Sequence, residues 1–257
     1  MFNFNSMNIG IGIGMPSGAG GIGGGGTAPF TPADITTVGW WDASDTSPTN
    51  IIESGGLVSQ LTDIGTNESE HLVQTTGSFQ LSTGLQTING FNVLSSVTAD
   101  KYIESLTFPI PSSGNVSISF VAQIDGKNAS GNASLISMDA TSHDWQLDAR
   151  DTSQFSGELT ANDIGSSDVL TGGPFTGPDI WSLVFDFDSG TKKVYTNGVE
   201  RSSGTYTAKL NASQSLRVFA NRAVNSRVNG LFGEMVIYED GSQVSNVESY
   251  LTDKWIP

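Results

Sequence analysis

Apolar residues recur at every second position in several segments, and this alternation restricts the fold more than any other feature of the sequence. In the clearest segment Val116, Ile118, Phe120, Ala122 and Ile124 alternate with Ser117, Ser119, Val121 and Gln123. Such alternation is typical of a β-strand with one buried face. The segments 145–149, 181–187 and 216–220 show the same pattern. The sequence therefore predicts a protein built from short strands.

Tight turns separate these strands. Asp188, Ser189 and Gly190 form one turn, and Asn197 with Gly198 forms a second, on either side of a strand at 191–196. Asn-Gly is a strong hairpin signal because both residues tolerate a positive φ angle. Two successive hairpins are therefore expected in this region.

The segment 231–239 differs because it is apolar on both faces. Met235 and Ile237 lie opposite Phe232, Val236 and Tyr238 if the alternation is unbroken. A strand that is apolar on both faces is expected inside a sheet. We predict that 116–124, 181–187 and 231–239 form central strands.

One helix is predicted, near the C-terminal end. Val244, Val247, Leu251 and Trp255 recur at helical spacing and would bury one face. Ser245 followed by Glu248 fits a capping box. Many short strands with a single helix predict an all-β fold, a two-sheet antiparallel jelly-roll sandwich.

Residues 1–26 form a separate, glycine-rich region. In this region Ile9, Ile11 and Ile13 alternate with glycine, which is a strand pattern, and glycine allows another backbone to approach closely. Composition alone also allows a flexible linker. We predict an extended N-terminal assembly arm over 1–26, followed by a single domain over 27–257.

Four segments together resemble laminin-G-like / concanavalin-A-like jelly-roll domains. They are GWWDASD at 39–45, GFNVLSSVTADKYIES at 90–105, the Trp181 strand ending in VYTNG at 194–198, and the strand NGLFGEMVIY at 229–238 followed by the helix VESYLTDKW at 247–255. The resemblance covers about residues 30–257. It implies the jelly-roll fold but no single function, because this fold occurs in lectins, glycan hydrolases, adhesion modules and viral surface proteins.

The order of glycine-rich arm and jelly roll resembles the organisation of tailed-bacteriophage structural proteins. This resemblance implies a non-catalytic virion component that decorates a capsid or tail, with itself, other virion proteins and surface glycans as partners. Residues 1–26 show no secretory signal, so assembly in the host cytoplasm is expected. The alternative is a carbohydrate-binding or adhesion module of a cellular surface protein.

The charge of the chain restricts its partners further. There are 26 Asp and Glu against 11 Lys and Arg, for a net charge of −15. This excess of negative charge disfavours nucleic acid and anionic lipid as partners. The sequence has no cysteine, which excludes disulfides and thiolate metal sites. No apolar run reaches the about 20 residues that a membrane-spanning helix needs, so membrane insertion is not expected.

No catalytic pattern is recognised. Glycosidases use two carboxylates about 5–10 Å apart, and the Glu–x–Asp–x–x–Glu spacing of the hydrolases that share this fold is absent. The nearest groupings are Asp186 with Asp188, and Asp144, Asp148 and Asp151, and we interpret both as structural. His71 and His143 are the only histidines, and neither belongs to a recognisable triad. The protein is predicted not to be an enzyme.

No cofactor or metal is predicted either. Asp42 and Asp45 are two oxygen ligands in one loop, but carboxylates that close turns explain them better than calcium does. Trp40 and Trp41 are adjacent, so on a strand they point to opposite faces. One is expected in the core, and the other is either an exposed sugar-stacking platform or covered by the sheet edge or a partner, which we favour.

Overall fold

A computed structural model describes the backbone of residues 28–66, 68–96, 101–109, 113–127, 133–139, 143–149, 155–161, 164–173, 177–205, 214–220, 224 and 228–256. Side chains are described within these ranges except at 127, 133, 139, 143–149, 155–161, 164–173 and 214. The predicted arm at 1–26 lies outside the described residues.

Strands account for most of the described chain. They are β1 (Thr37–Asp42), β2 (Ile51–Ser54), β3 (Leu57–Leu61), β4 (Leu72–Val73), β5 (Thr87–Ile88), β6 (Phe91–Asn92), β7 (Leu94–Ser95), β8 (Ile103–Phe108), β9 (Asn115–Lys127), β10 (Ala133–Asp139), β11 (His143–Ala149), β12 (Phe155–Ala161), β13 (Ile164–Gly173), β14 (Asp179–Asp186), β15 (Thr191–Thr196), β16 (Val199–Thr205), β17 (Gln214–Val218) and β18 (Val228–Tyr238). Helix α1 (Val244–Trp255) follows β18, and short 3-10 turns occur at Pro32–Asp34, Gly77–Phe79 and Gly241–Gln243.

The strands form two large sheets. The first has the order β1-β18-β9-β14-β15-β16, with β7 also paired to β18. The second has the order β13-β12-β11-β10-β17-β8-β4-β3-β2, and β5 pairs with β6 in a separate ribbon. Every pairing in the described part of the chain is antiparallel. The predicted two-sheet jelly-roll sandwich is confirmed, with β9, β14 and β18 central in the first sheet.

The main core lies between the two sheets. It includes Trp41 from β1, Phe120 from β9 and Trp181 from β14, all with at most 1% of their surface exposed. Leu183 and Phe185 share the inner face of β14 with Trp181, as the alternation predicts. Burying aromatic side chains of this size supplies much of the stability of such a core.

Strand β9 is buried on both faces from Val116 to Ala122, so the prediction of a half-buried strand is wrong there. Ser117, Ser119 and Val121, on its outer face, are fully buried. The outer face is covered because helix α1 packs there, and Val121 belongs to a second apolar cluster with residues of the helix. The Ser119 hydroxyl lies 3.0 Å from the Tyr238 hydroxyl and 2.8 Å from that of Ser182, which provides its hydrogen-bond partners.

The faces of β18 also differ from the prediction. Phe232 lies on the inner face with Met235 and Ile237 rather than opposite them. The pairing with β9 shifts register between Phe232 and Glu234, which leaves Gly233 as the extra residue of a β-bulge. A Cβ atom at Gly233 would lie 3.0 Å from the ring of Trp255, closer than ordinary van der Waals contact, so a side chain here would have to displace this fully buried ring.

Helix α1 starts without the predicted capping box. Its N-cap residue is Gln243, which makes no capping hydrogen bond through its side chain. Instead, Asp240 accepts a hydrogen bond from the Ser242 backbone N–H and so begins the preceding 3-10 turn. Glu248, the expected partner of Ser245, is buried against the first sheet with 6% exposure.

The turn predictions are confirmed, with one change in a strand boundary. Asn197 and Gly198 both have positive φ angles, 50° and 75°, and link β15 to β16. Gly190, with φ of 64°, lies in the turn between β14 and β15. Strand β17 ends at Val218, before the predicted Ala220. Phe219 follows Val218 with a φ angle of 68°, outside the extended region.

Candidate functional site

An open cleft of about 280 Å³ lies on the outer face of the first sheet, beside the start of α1. The sheet contributes Asn115 from β9, Val184 and Asp186 from β14, and Thr191, Lys193 and Tyr195 from β15. The turn leading into the helix closes the other side with Gly241 and Ser242. The cleft is therefore the part of this face that the helix leaves uncovered.

Strand register brings these side chains together. Because Leu183 and Phe185 face the core, Val184 and Asp186 of the same strand project outward. Val184 pairs with Lys193 and Asp186 pairs with Thr191. Paired residues of neighbouring antiparallel strands point to the same face, so their side chains meet in the cleft.

Asp186 is a fixed, ionised carboxylate at one end of the cleft. Its Oδ1 atom accepts hydrogen bonds from the backbone N–H groups of Asp188 and Ser189, each at 3.0 Å. Hydrogen bonds from Ser189, first from its side chain and then from its backbone, hold the pKa of Asp186 below its usual value. An ionised carboxylate offers about four acceptor positions, so Asp186 can still accept hydrogen bonds from a ligand.

Lys193 and Tyr195 are held by Glu200 of β16. The Lys193 Nζ atom lies 3.1 Å from Glu200 Oε2, and the Tyr195 hydroxyl donates to the same oxygen at 3.3 Å. The hydrogen bond with Glu200 raises the pKa of Lys193, while burial is the main cause that raises the pKa of Tyr195. The tyrosine ring packs against the outer apolar cluster and is half-buried. The result is an aromatic ring in a fixed position on the cleft floor.

A second polar cluster lies under the other end of α1, centred on Glu234 of β18. Glu234 is fully buried. Its Oε1 atom accepts hydrogen bonds from Trp40 Nε1 at 2.7 Å and from the Tyr250 hydroxyl at 3.0 Å. Its Oε2 atom accepts from Lys254 Nζ at 2.7 Å and from Trp255 Nε1 at 2.8 Å. Four donors therefore satisfy one buried carboxylate.

Lys254 extends this cluster to the first strand. Its Nζ atom lies 2.7 Å from Asp42 Oδ2 and 5.1 Å from the centre of the Trp255 ring. Burial, followed by the charge of Asp42, raises the pKa of Glu234, and the Lys254 charge opposes this shift. Because Glu234 is sealed from solvent, we assign the cluster a structural role, attachment of α1 to β1 and β18.

The two adjacent tryptophans point to opposite faces, as predicted. Trp41 is fully buried between the sheets, and its indole N–H donates to the Glu70 backbone oxygen at 2.8 Å. Trp40 lies on the outer face, half-buried against the second apolar cluster, with its N–H bound to Glu234. Trp40 is therefore covered in part by the cluster under α1, whereas the sequence favoured the sheet edge or a partner. Its remaining surface lines a small pocket of about 160 Å³ with Thr37 and Ile64.

The loop and turn carboxylates have the predicted structural roles. Asp42 Oδ1 and Asp45 Oδ1 each accept the backbone N–H two residues ahead, at 2.9 Å. Asp188 Oδ1 accepts the Gly114 N–H at 3.3 Å. The described residues contain no group of three or more potential metal-ligating side chains.

The remaining candidates are described only in part. His71 accepts the Asp63 backbone N–H through Nδ1 at 3.1 Å, as expected for a structural histidine. His143, Asp144 and Asp148 lie on β11, whose side chains are not among the described ones, and Asp151 lies outside the described residues.

Among the helices described, none has the length and apolarity to cross a membrane.

Comparison with known protein families assigns the domain to a superfamily. The family model described as the Concanavalin A-like lectin/glucanases superfamily matches residues 96–247, more than half of the chain. The chain belongs to this superfamily. The match confirms the predicted resemblance for residues 96–247. This range includes every sheet residue that lines the cleft. No curated protein sequence matches this member of the superfamily.

Solved structures similar to this concanavalin A-like chain include two neurotoxin domains. The binding domain of botulinum neurotoxin DC, in complex with SialylT, matches with a TM-score of 0.57 and 12% identity over 87% of this chain and 52% of that chain. The botulinum neurotoxin type G receptor binding domain matches with a TM-score of 0.54 and 11% identity over 85% and 51%. The chain spans about half the length of these relatives, and at such identity the likeness shows the fold alone.

Sequence reasoning missed the cleft of this concanavalin A-like domain. Asn115, Lys193 and Tyr195 are not among the sequence candidates, and Asp186 is interpreted there as structural only. In the structure, Thr191, Lys193 and Tyr195 alternate with buried residues along β15. This alternation places one aromatic and one charged side chain on an outer face. The sequence does not show this face, because two of the buried residues that alternate with it, Lys192 and Thr196, are polar, and the position of α1 is needed to show that a cleft forms there.

Proposed function

We propose that the protein is a non-catalytic carbohydrate-binding domain and that the cleft beside α1 is its glycan site. One observation carries the proposal. A single open cleft combines the Tyr195 ring with an ionised carboxylate, an ammonium group and the amide of Asn115. The superfamily to which the chain belongs is named for lectins and glucanases, which supports this reading.

The chemistry of the cleft suits a sugar. A pyranose presents C–H groups on its ring faces and hydroxyl groups around its edge. An aromatic ring packs against the apolar face, while a few fixed polar groups bind hydroxyls and set orientation. Because Glu200 already holds Tyr195 and Lys193, little side-chain freedom is lost on binding.

Catalysis is not part of the proposal. Among the described residues that line the cleft, Asp186 is the one carboxylate. Glycoside hydrolysis needs a pair, one of them with a raised pKa to donate a proton. The pKa of Asp186 is lowered instead, so this group would bind hydroxyls rather than protonate a leaving oxygen.

Binding is tested by glycan-array screening, followed by calorimetry with the best ligand. Tyr195→Ala removes the ring and Asp186→Asn removes the charge, and each should weaken binding at least ten-fold. The matched control is Tyr102→Ala, because Tyr102 contacts Phe79 away from the cleft. If Tyr195→Ala and Tyr102→Ala bind glycan with equal affinity, and circular dichroism shows both variants folded, the cleft is not the glycan site.

The proposed setting is a virion surface, on a capsid or tail, with the domain held by residues 1–26 and assembled in the host cytoplasm. The support is the sequence of the arm. Ordering glycine-rich backbone costs about 1–2 kcal/mol per residue, and Ile9, Ile11 and Ile13 supply too little burial unless a partner accepts them. A second copy or another virion protein could pair with the arm as an added strand.

Deletion of residues 1–26 tests this setting. The remaining domain should stay folded and bind glycan with unchanged affinity, but should no longer join the oligomer or particle. Normal assembly of the deletion variant would favour the alternative, an adhesion module of a cellular surface protein.

A further inference from the structure

We infer that the cleft selects neutral glycans and rejects acidic ones such as sialylated chains. This inference rests on the proposed function. The observation behind it is the arrangement of charges at the cleft. Lys193, the one cation among the described lining residues, is paired with Glu200, while the hydrogen bonds to Asp186 come from Asp188 and Ser189.

Two charged side chains, Asp186 and Lys193, line the cleft, and two more lie next to lining residues. Asp186 lies on β14, Lys193 on β15 and Glu200 on β16, and Asp240 precedes the 3-10 turn that closes the cleft. Three of these groups are carboxylates, and Lys193 is the one cation among the described lining residues. The local charge is therefore negative, in line with the net charge of −15 for the whole chain.

The available cation is already engaged. Lys193 Nζ lies 3.1 Å from Glu200 Oε2, so a ligand carboxylate would have to compete with Glu200 for the same ammonium group. It would also approach Asp186, which lines the cleft, and like charges repel at short distances. A negative surface further lowers the local concentration of anionic ligands.

A neutral sugar is not repelled by the carboxylates and does not have to compete with Glu200 for Lys193. Ionised Asp186 can only accept hydrogen bonds, so the ligand group that faces it has to be a donor. Sugar hydroxyls are donors, whereas an ionised ligand carboxylate has no hydrogen to donate. The same group that rejects an acidic sugar therefore binds a neutral one.

The test uses matched glycan pairs that differ only by a terminal sialic acid, printed on one array, with lactose and sialyllactose included. The best neutral ligand and its sialylated counterpart are then measured by calorimetry at low and physiological salt. We expect the neutral member to bind at least ten-fold more tightly, with a larger difference at low salt because screening is weaker there.

The Glu200→Gln variant tests whether the pairing of Lys193 with Glu200 causes the preference for neutral glycans. This change frees the ammonium group of Lys193 and should bring the affinity ratio of neutral to sialylated ligand at least three-fold closer to one. The matched control is Asp253→Asn, which also removes one carboxylate but on an exposed position of α1 away from the cleft. That variant should keep the ratio of the unmodified protein.

Each outcome separates the inference from the proposed function. Equal or tighter binding of sialylated ligands overturns the selectivity but leaves a glycan-binding domain. Neutral preference with an unchanged ratio in Glu200→Gln also overturns it, because the pairing of Lys193 would then not be the cause. Failure of every glycan to bind overturns the proposed function itself.

Discussion

Replacing Lys254 with methionine should destabilise the fold strongly through the buried cluster under α1. The change removes the ammonium group that lies 2.7 Å from both Glu234 and Asp42. Glu234, with no exposed surface, would then lose the charge that lowers its pKa while Asp42 stays close, so it would either carry an unpaired buried charge or take up a proton, and both cost stability. Breaking a buried ion pair by removing one partner costs about 3–5 kcal/mol. For a protein of this size, this loss corresponds to a melting temperature lower by about 6–20 °C.

The measurement is urea denaturation followed by circular dichroism and tryptophan fluorescence. Lys193→Met is the matched control, because Lys193 also pairs with a glutamate, but with side chains 44% and 40% exposed. Exposed pairs contribute little to stability, so the control should leave the unfolding midpoint nearly unchanged. If Lys254→Met lowers the midpoint no more than Lys193→Met does, the cluster does not attach the helix and this reasoning is refuted.

Three further predictions concern the contact between α1 and the first sheet. Trp255→Ala should cost about 3–5 kcal/mol by denaturation, because this ring is fully buried; a loss below about 1 kcal/mol would place the helix outside the core. Gly233→Ala should lower the melting temperature, because the new methyl group would lie 3.0 Å from the Trp255 ring. Burial raises the pKa of Glu248, so the folded state favours the protonated form, and stability is lost as pH rises through the folded-state pKa. Glu248→Gln should therefore reduce the change of the unfolding midpoint with pH between pH 4 and 8. An unchanged pH dependence would contradict a raised pKa for Glu248.

Most of the strand framework could be predicted because its information is local. The alternation of Trp181, Leu183 and Phe185 marks an inner face without knowledge of any partner. Asn197 and Gly198 specify their turn through their own φ angles. Local signals of this kind do not depend on which strand lies next to which.

The errors arise where a distant segment decides the environment. Ser117 and Ser119 look exposed by pattern, but they are buried because a helix more than 120 residues later packs over them. The bulge at Gly233 cannot be read from β18 alone, because it accommodates the ring of Trp255. The same holds for the cleft, which depends on the register of β14 with β15 and on where α1 begins.

The cluster around Glu234 also has a consequence for synthesis of the chain. It joins Trp40 and Asp42, near the start of the domain, to Tyr250 and Lys254. A ribosome makes Glu234 well before Lys254 and Trp255, so a nascent chain cannot bury this carboxylate with its partners until residue 255 has emerged. Products cut short within the helix would keep Trp40 as a donor to Glu234 but would lack Lys254 and Trp255, and they would leave part of the apolar outer face of the first sheet exposed. Such products would be recognised by proteases that act on unfolded chains.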